Sequence, residues 1–378
     1  MLSVDNLEHN VNTAKEVAEN LYEYFAATGM LNVSCGSSAY THGGFAPASS
    51  EDIASSWRGE IAFASKAVQS VGYEILPLGS EEKPAVYVYA SKGVTKKDEY
   101  TEREINGCIV RYRRLTPLSI KPDTSQITTN IPSLFLCPNG EMACGSSCSL
   151  STQTLAGTMG ALLKINEDNQ LYLLSNNHVI GGCNHAEKNA IITMPAPRDS
   201  GRFAPTEVGT LSAVIPLESG NPEFVPACDV DAAIGRVTYP DRVTSWQGTL
   251  SEGYDSPSQV LPLTSGMKVK KFGRTTGLTH GVAEAKTTGN TKIPYKAEGF
   301  NATVYFKDFW LVRGENEKPF ALAGDSGSLV VTEDGSATVG LLFANDNRYA
   351  CILPIQAVLN KFGGAKIVTR YRIPNTSG

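Results

Sequence analysis

The sequence predicts an all-β barrel or sandwich preceded by a smaller α+β region. Two observations carry this. From residue 147 to residue 343, short apolar runs alternate with turn signals, among them "GALLKI", "LYLLSN", "VGTLSAVI", "KVKKFG", "SLVVT" and "ATVGLLF". Many short strands at such spacing build barrels or sandwiches, and the 35 Gly and 20 Pro supply the turns between them. Before residue 117 the apolar period is longer, and helices alternate with few strands.

Taken in order, residues 5–28 form an amphipathic helix, because Leu7, Val11, Ala14, Val17, Leu21 and Phe25 recur at spacings of three and four, and Gly29 ends it. A second helix starts near Ser50 and runs through Ile53, Trp57, Ile61, Ala64, Val68 and Val71 to Gly72. "AVYVYA" (85–90) and "CIVRYRR" (108–114) read as strands, and the charged stretch between them as helical. Residues 117–146 are rich in Pro, Ser, Thr, Asn and Gly and read as a linker. The strand-rich region then occupies 147–378 and closes with one helix in "PIQAVLNKFGG". The expected organisation is therefore an α+β N-terminal regulatory or interaction domain (1–116), a linker (117–146) and a strand-rich domain (147–378).

Bulk properties exclude several function classes. A net charge of −5 argues against nucleic acid or anionic membrane as the main partner. No window approaches the length of uninterrupted apolar sequence that a membrane helix needs. The N-terminus has acids early and lacks a basic segment followed by an apolar one, so a cytoplasmic protein is expected. The eight cysteines are then expected to be reduced and mostly buried. "CPNGEMACGSSC" has neither CxxC spacing nor a nearby histidine, and reads as a Gly-rich loop rather than a metal site.

Three residues of the strand-rich half stand in contexts suited to acyl transfer. His178, in "LYLLSNNHVIGG", follows an apolar strand; Asp231, in "CDVDAAIGRV", opens another; Ser326 lies in "AGDSGSLVV". A neutral imidazole can take the serine proton while the carboxylate fixes its tautomer and the hydroxyl attacks. Gly324 lets the backbone N–H groups of residues 324 and 326 point at one spot, an oxyanion hole. Each residue alone has a bland reading, as packed histidine, strand cap or tight turn. The order His–Asp–Ser on a strand-rich background favours the chemical one.

These motifs resemble those of the trypsin/chymotrypsin superfamily of double β-barrel serine proteases. "NNHV", "DAAI" and "GDSGS" correspond to the family's three catalytic motifs, separated here by 53 residues (178 to 231) and 95 residues (231 to 326). Asp229 is a rival acid, but Asp231-Ala-Ala-Ile fits the family pattern better. "AGTMGALL", "YLLSNNHVI" and "VGTLSAVIPL" further resemble bacterial, signal-less trypsin-like proteins with an N-terminal extension, with the plant narrow-leaf proteins as distant relatives. The resemblance implies a chymotrypsin-like double barrel and a serine endopeptidase acting on protein or peptide substrates. No metal or organic cofactor is implied. A protein partner for the N-terminal region is expected; nucleic acid and membrane are not.

Two departures from the family pattern matter. No basic residue followed by Ile/Val-Gly-Gly precedes the barrel, so the Asp325 carboxylate needs a cation other than a freed N-terminus. "GRTTG" resembles the α-lytic-type proteases, whose arginine fills that role, and implies that Arg274 pairs with Asp325. Second, trypsin's pocket acid is replaced by Phe320, which removes the reason for cleavage after Arg or Lys. The pocket is expected from Phe320, Phe343, Ala344 and Asn345, with Asp346 and Arg348 nearby and a small or medium apolar P1 residue preferred. His42, His185 and His280 are expected to be loop residues.

Overall fold

The computed structural model describes residues 4–31, 67–77, 80–120, 140–165, 169–201, 205–220, 226–297 and 299–374. Two curled sheets dominate it. The first has eight strands, with Ala161–Lys164, Leu171–Ser175, Ala233–Val237 and Thr206–Val214 adjacent at its centre. In the second, Lys268–Gly273, Leu329–Thr332, Thr338–Asn345, Tyr349–Pro354, Trp310–Gly314 and Gly277–Thr288 pair in that order. Lys268–Gly273 also pairs with Gly277–Thr288, closing a six-stranded barrel. The all-β double-barrel fold that the family resemblance implied is the fold observed.

Alternating apolar residues explain why these segments are strands. Leu329, Val331, Leu341, Phe343, Cys351 and Leu353 are fully buried in one cluster shared with the first sheet's Leu163, Leu174 and Ile234. A second cluster, with Leu162, Leu173, Ile192 and Val208, fills the first sheet's curl. The closing helix, Ile355–Lys361, buries Ile355, Val358 and Leu359 against the barrel strands.

The N-terminal helix spans Val4–Ala27, as its periodicity predicts, and buries Ala14, Val17, Leu21 and Phe25. The second predicted helix needs correcting at its end. Its residues 50–66 lie outside the described residues, but Val68–Tyr73 is a strand. It pairs with Ala85–Ala90 on one side and with residues 286–288 of Gly277–Thr288 on the other. The apolar spacing of Val68 and Val71 suits a helix, but tertiary pairing overrides local period where both faces are buried. Ala85–Ala90 in turn pairs in parallel with Cys108–Arg114, and the charged connection holds the short helix Lys96–Tyr100. These N-terminal strands thus extend the barrel's own sheet. Of the stretch read as a linker, residues 121–139 lie outside the described residues, whereas Met142–Cys144 is a strand paired with Val243–Gln247.

Candidate active site

Local sequence places the three candidate residues where the two sheets face each other. Leu171–Ser175 and Ala233–Val237 are antiparallel with Ser175 opposite Ala233. That register brings the turn after one strand, Asn177–Ile180, beside the residues entering the other. His178 and Asp231 therefore meet at one sheet end. His178 Nδ1 donates to Asp231 Oδ2 at 2.6 Å, with both side chains buried.

Asp231 is held from four sides. Oδ1 accepts from the N–H groups of Asn177 (2.7 Å) and His178 (3.3 Å). Oδ2 accepts from His178 and from the Tyr295 hydroxyl, at 2.8 Å. Burial first, and the Asp231 charge second, raise the Tyr295 pKa well above its ordinary value. The phenol therefore stays protonated and remains a donor. Its ring also stands edge-on to the imidazole, with centroids 5.9 Å apart. Tyr295 carries no signal in the sequence, because it comes from the hairpin strand Thr291–Ala297, far along the chain. The rival acid, Asp229, instead reaches Lys361 at 3.0 Å, with both side chains close to half exposed.

Ser326 sits in the loop before Leu329–Thr332 and docks on the first sheet. Its carbonyl accepts from Thr158 N at 2.8 Å, and the Thr158 hydroxyl donates to Gly324 O at 2.9 Å. Gly157 permits this approach: a Cβ there would lie 2.4 Å from Val179, next to His178, and 3.0 Å from Ser326 O. Ser326 Oγ donates to Phe343 O at 3.3 Å rather than to His178. Gly324 has φ +95°, a conformation that L side chains rarely adopt. Among the described residues the N–H groups of Gly324 and Ser326 have no intramolecular acceptor, so both are available to an oxyanion.

The cation beside Asp325 is Lys271, not Arg274. Asp325 is fully buried, and its oxygens accept from Thr275 N (2.8 Å), Thr276 N (3.1 Å), the Thr276 hydroxyl (2.7 Å) and Leu322 N (2.9 Å). Lys271 Nζ lies 3.5 Å from Oδ2. Burial lowers the Lys271 pKa, and Asp325 opposes that shift. Arg274, also fully buried, instead grips Asp199 through Nε and Nη2, each at 2.6 Å. The expected pairing fails because the turn presents its two threonines, not its arginine, to the carboxylate. Arg274 still borders the site, since a Cβ on Gly324 would lie 2.5 Å from its Nη1.

The expected pocket residues divide. The Phe320 side chain is core: it packs with Val269, Ala283, Val312 and Val330, and Lys271 Nζ lies 5.8 Å from its ring centroid. Phe343 and Ala344 are also buried, Phe343 against Phe306 at 4.7 Å, and Phe343 meets Ser326 through its backbone carbonyl. Asn345 is partly exposed. Asp346 accepts from the N–H groups of Arg348 and Tyr349, and Arg348 pairs with Glu99 at 2.8 Å, so both charges are satisfied locally. His280 bonds Glu333 at 2.8 Å, and the His185 ring lies 5.9 Å from that of Phe300. His42 lies outside the described residues.

A profile of the Nal1 C-terminal domain matches residues 255–352. None of the curated proteins matches the chain. Among solved structures it is similar to Thermobifida fusca protease A, at 18 % identity and TM-score 0.41, over 60 % of this chain and 99 % of that one. It is also similar to the Nocardiopsis protease NAPase (17 %, TM-score 0.40, 60 % and 98 %) and to the chymotrypsin of Cellulomonas bogoriensis (16 %, TM-score 0.40, 60 % and 98 %). The chemical reading of the site rests on its own geometry.

Proposed function

We propose that this chain is a serine endopeptidase of the trypsin/chymotrypsin type, with Ser326 as nucleophile, His178 as general base and acid, and Asp231 as its orienting partner. The observation that carries the reading is the buried 2.6 Å contact between His178 Nδ1 and an Asp231 carboxylate that four donors hold in place. With the proton fixed on Nδ1, the Nε2 lone pair is free to accept the Ser326 proton. Rotation of Ser326 about χ1 moves Oγ from the Phe343 carbonyl toward the imidazole. Oγ then attacks the substrate carbonyl, the Gly324 and Ser326 N–H groups take the oxyanion, and the imidazolium returns its proton to the leaving amine. Water deacylates the serine by the same route.

Cys108, Cys148, Cys183, Cys228 and Cys351 are buried thiols, in keeping with the proposed reducing, cytoplasmic setting. The N-terminal region is proposed to recognise a protein partner. A second reading, a silent scaffold on the protease fold, is favoured by the Ser326 hydroxyl facing Phe343. Fluorophosphonate labelling separates the two. Wild type is expected to label, and Ser326→Ala and His178→Ala to label negligibly; an unlabelled wild type supports the scaffold. Asp229→Ala serves as the control. Its partly exposed pair with Lys361 is worth at most about 1 kcal/mol, so labelling and thermal stability should stay near wild type. Loss of labelling there would transfer the acid's role to Asp229.

A further inference from the structure

Residues 115–120 leave the strand Cys108–Arg114 and run onto the barrel that carries Ser326. Thr116 anchors the run: its N–H and hydroxyl donate to Asp346 Oδ2 at 2.8 and 3.0 Å. Ser119 then forms an antiparallel β-bridge with Asn345, and Ile120 a parallel one with Tyr295. Ile120 N donates to Pro294 O at 2.9 Å, and its carbonyl accepts from Lys296 N at 2.8 Å. Leu115, Leu118 and Ile120 are buried in the same cluster as Phe343 and Tyr295. The segment is thus an extended run, held by one β-bridge to Thr338–Asn345 and one to Thr291–Ala297.

Its place and direction bear on the site. Asn345 pairs with Ala350 on its other side, so Ser119 takes up the end of the second edge, beyond the residues that Leu329–Thr332 already covers. Phe343, in the same strand, offers its carbonyl to Ser326 Oγ. The segment meets Asp346 at Thr116 and Asn345 at Ser119, so from N to C it advances toward Phe343 and the serine. An extended peptide that adds to a strand edge is held by backbone hydrogen bonds whatever its sequence. The edge beside a nucleophile is therefore where a peptide to be cut would be laid.

We propose that residues 116–120 are an intramolecular occupant of that edge, so that the resting chain shuts out extended peptides until the segment lifts. The inference rests on Ser326 being the nucleophile. A tethered segment competes at an effective concentration on the order of millimolar, which a dilute substrate does not match. A small phosphonate needs only the serine and is not excluded. Because the segment continues the strand Cys108–Arg114 and its neighbourhood is tied to the helix Lys96–Tyr100 by Arg348–Glu99, a partner gripping the N-terminal region has a lever on it.

The test compares three full-length forms: wild type, a released form (Ser119→Pro with Ile120→Asp) and a locked form (Ser119→Cys with Asn345→Cys, oxidised). Each is labelled with a fluorophosphonate and assayed on a fluorescence-quenched, mixed-sequence peptide pool. Wild type and the released form are expected to label at similar rates, and the locked form to label as well. The released form should show kcat/KM raised at least about tenfold, equivalent to removing ~1.4 kcal/mol of competition. The locked form should be inert toward peptides until a reductant is added. Labelling in all three with the same peptide turnover would overturn the inference and leave the hydrolase reading standing. No labelling in any form would overturn the hydrolase reading, and the inference with it.

Discussion

Replacing Asp231 by Asn is expected to lower peptide turnover by about 10⁴-fold while leaving the fold in place. The cause lies in the donors that converge on this carboxylate. His178 Nδ1 and the Tyr295 hydroxyl both point protons at Oδ2, and two backbone N–H groups point at Oδ1. An asparagine can keep its carbonyl toward the two backbone donors, but its amide nitrogen must then face His178 and Tyr295. The imidazole can meet that N–H only with an unprotonated Nδ1. Its proton moves to Nε2, and the base is lost. Steady-state turnover at neutral pH, with thermal unfolding as the check on folding, decides the matter. A loss smaller than tenfold would mean that the His178–Asp231 contact is structural.

Arg274→Ala is expected to destabilise the protein by about 3–5 kcal/mol, because it strands a buried carboxylate, Asp199, without its cation. The melting temperature should fall by on the order of 10 °C. Arg274→Lys restores the charge but not the two-pronged grip, so it should recover only part of the loss. The double variant with Asp199→Ala is the decisive comparison. Removing both partners leaves no unpaired ion, so its melting temperature should lie above that of Arg274→Ala alone. No recovery would place the arginine's role elsewhere, on Asp325 for instance.

The two cases differ in how far sequence reasoning reaches. The meeting of His178 with Asp231 was legible because each residue stands in a short, distinctive surrounding at the end of an apolar strand. Partners drawn from distant segments leave no such mark. Tyr295 meets Asp231 only after a hairpin folds across the cleft, and nothing near residue 295 announces it. At Asp325 the resemblance of "GRTTG" to the α-lytic-type proteases pointed to the arginine. The fold chose Lys271 because its side chain, projecting inward from Lys268–Gly273, lies fully buried beneath the GDSGS loop. Val68 and Val71 failed for a different reason: a spacing of three suits a helix face, but it also arises in a strand buried on both faces. Their true conformation depends on the partner strand more than two hundred residues downstream.

That partner strand has a practical consequence. Gly277–Thr288 is lined on one edge by Lys268–Gly273 as far as residue 282, and beyond a gap the same edge is taken up by Val68–Tyr73. Removing the N-terminal region would therefore strip a hydrogen-bonding partner from the barrel and uncover a strand end that includes Ala285 and Thr287, both now buried. An open β edge of that kind recruits other chains. The half that carries Ser326, expressed by itself, should be sticky, self-associating material, and its behaviour would report on the exposed edge more than on the candidate site.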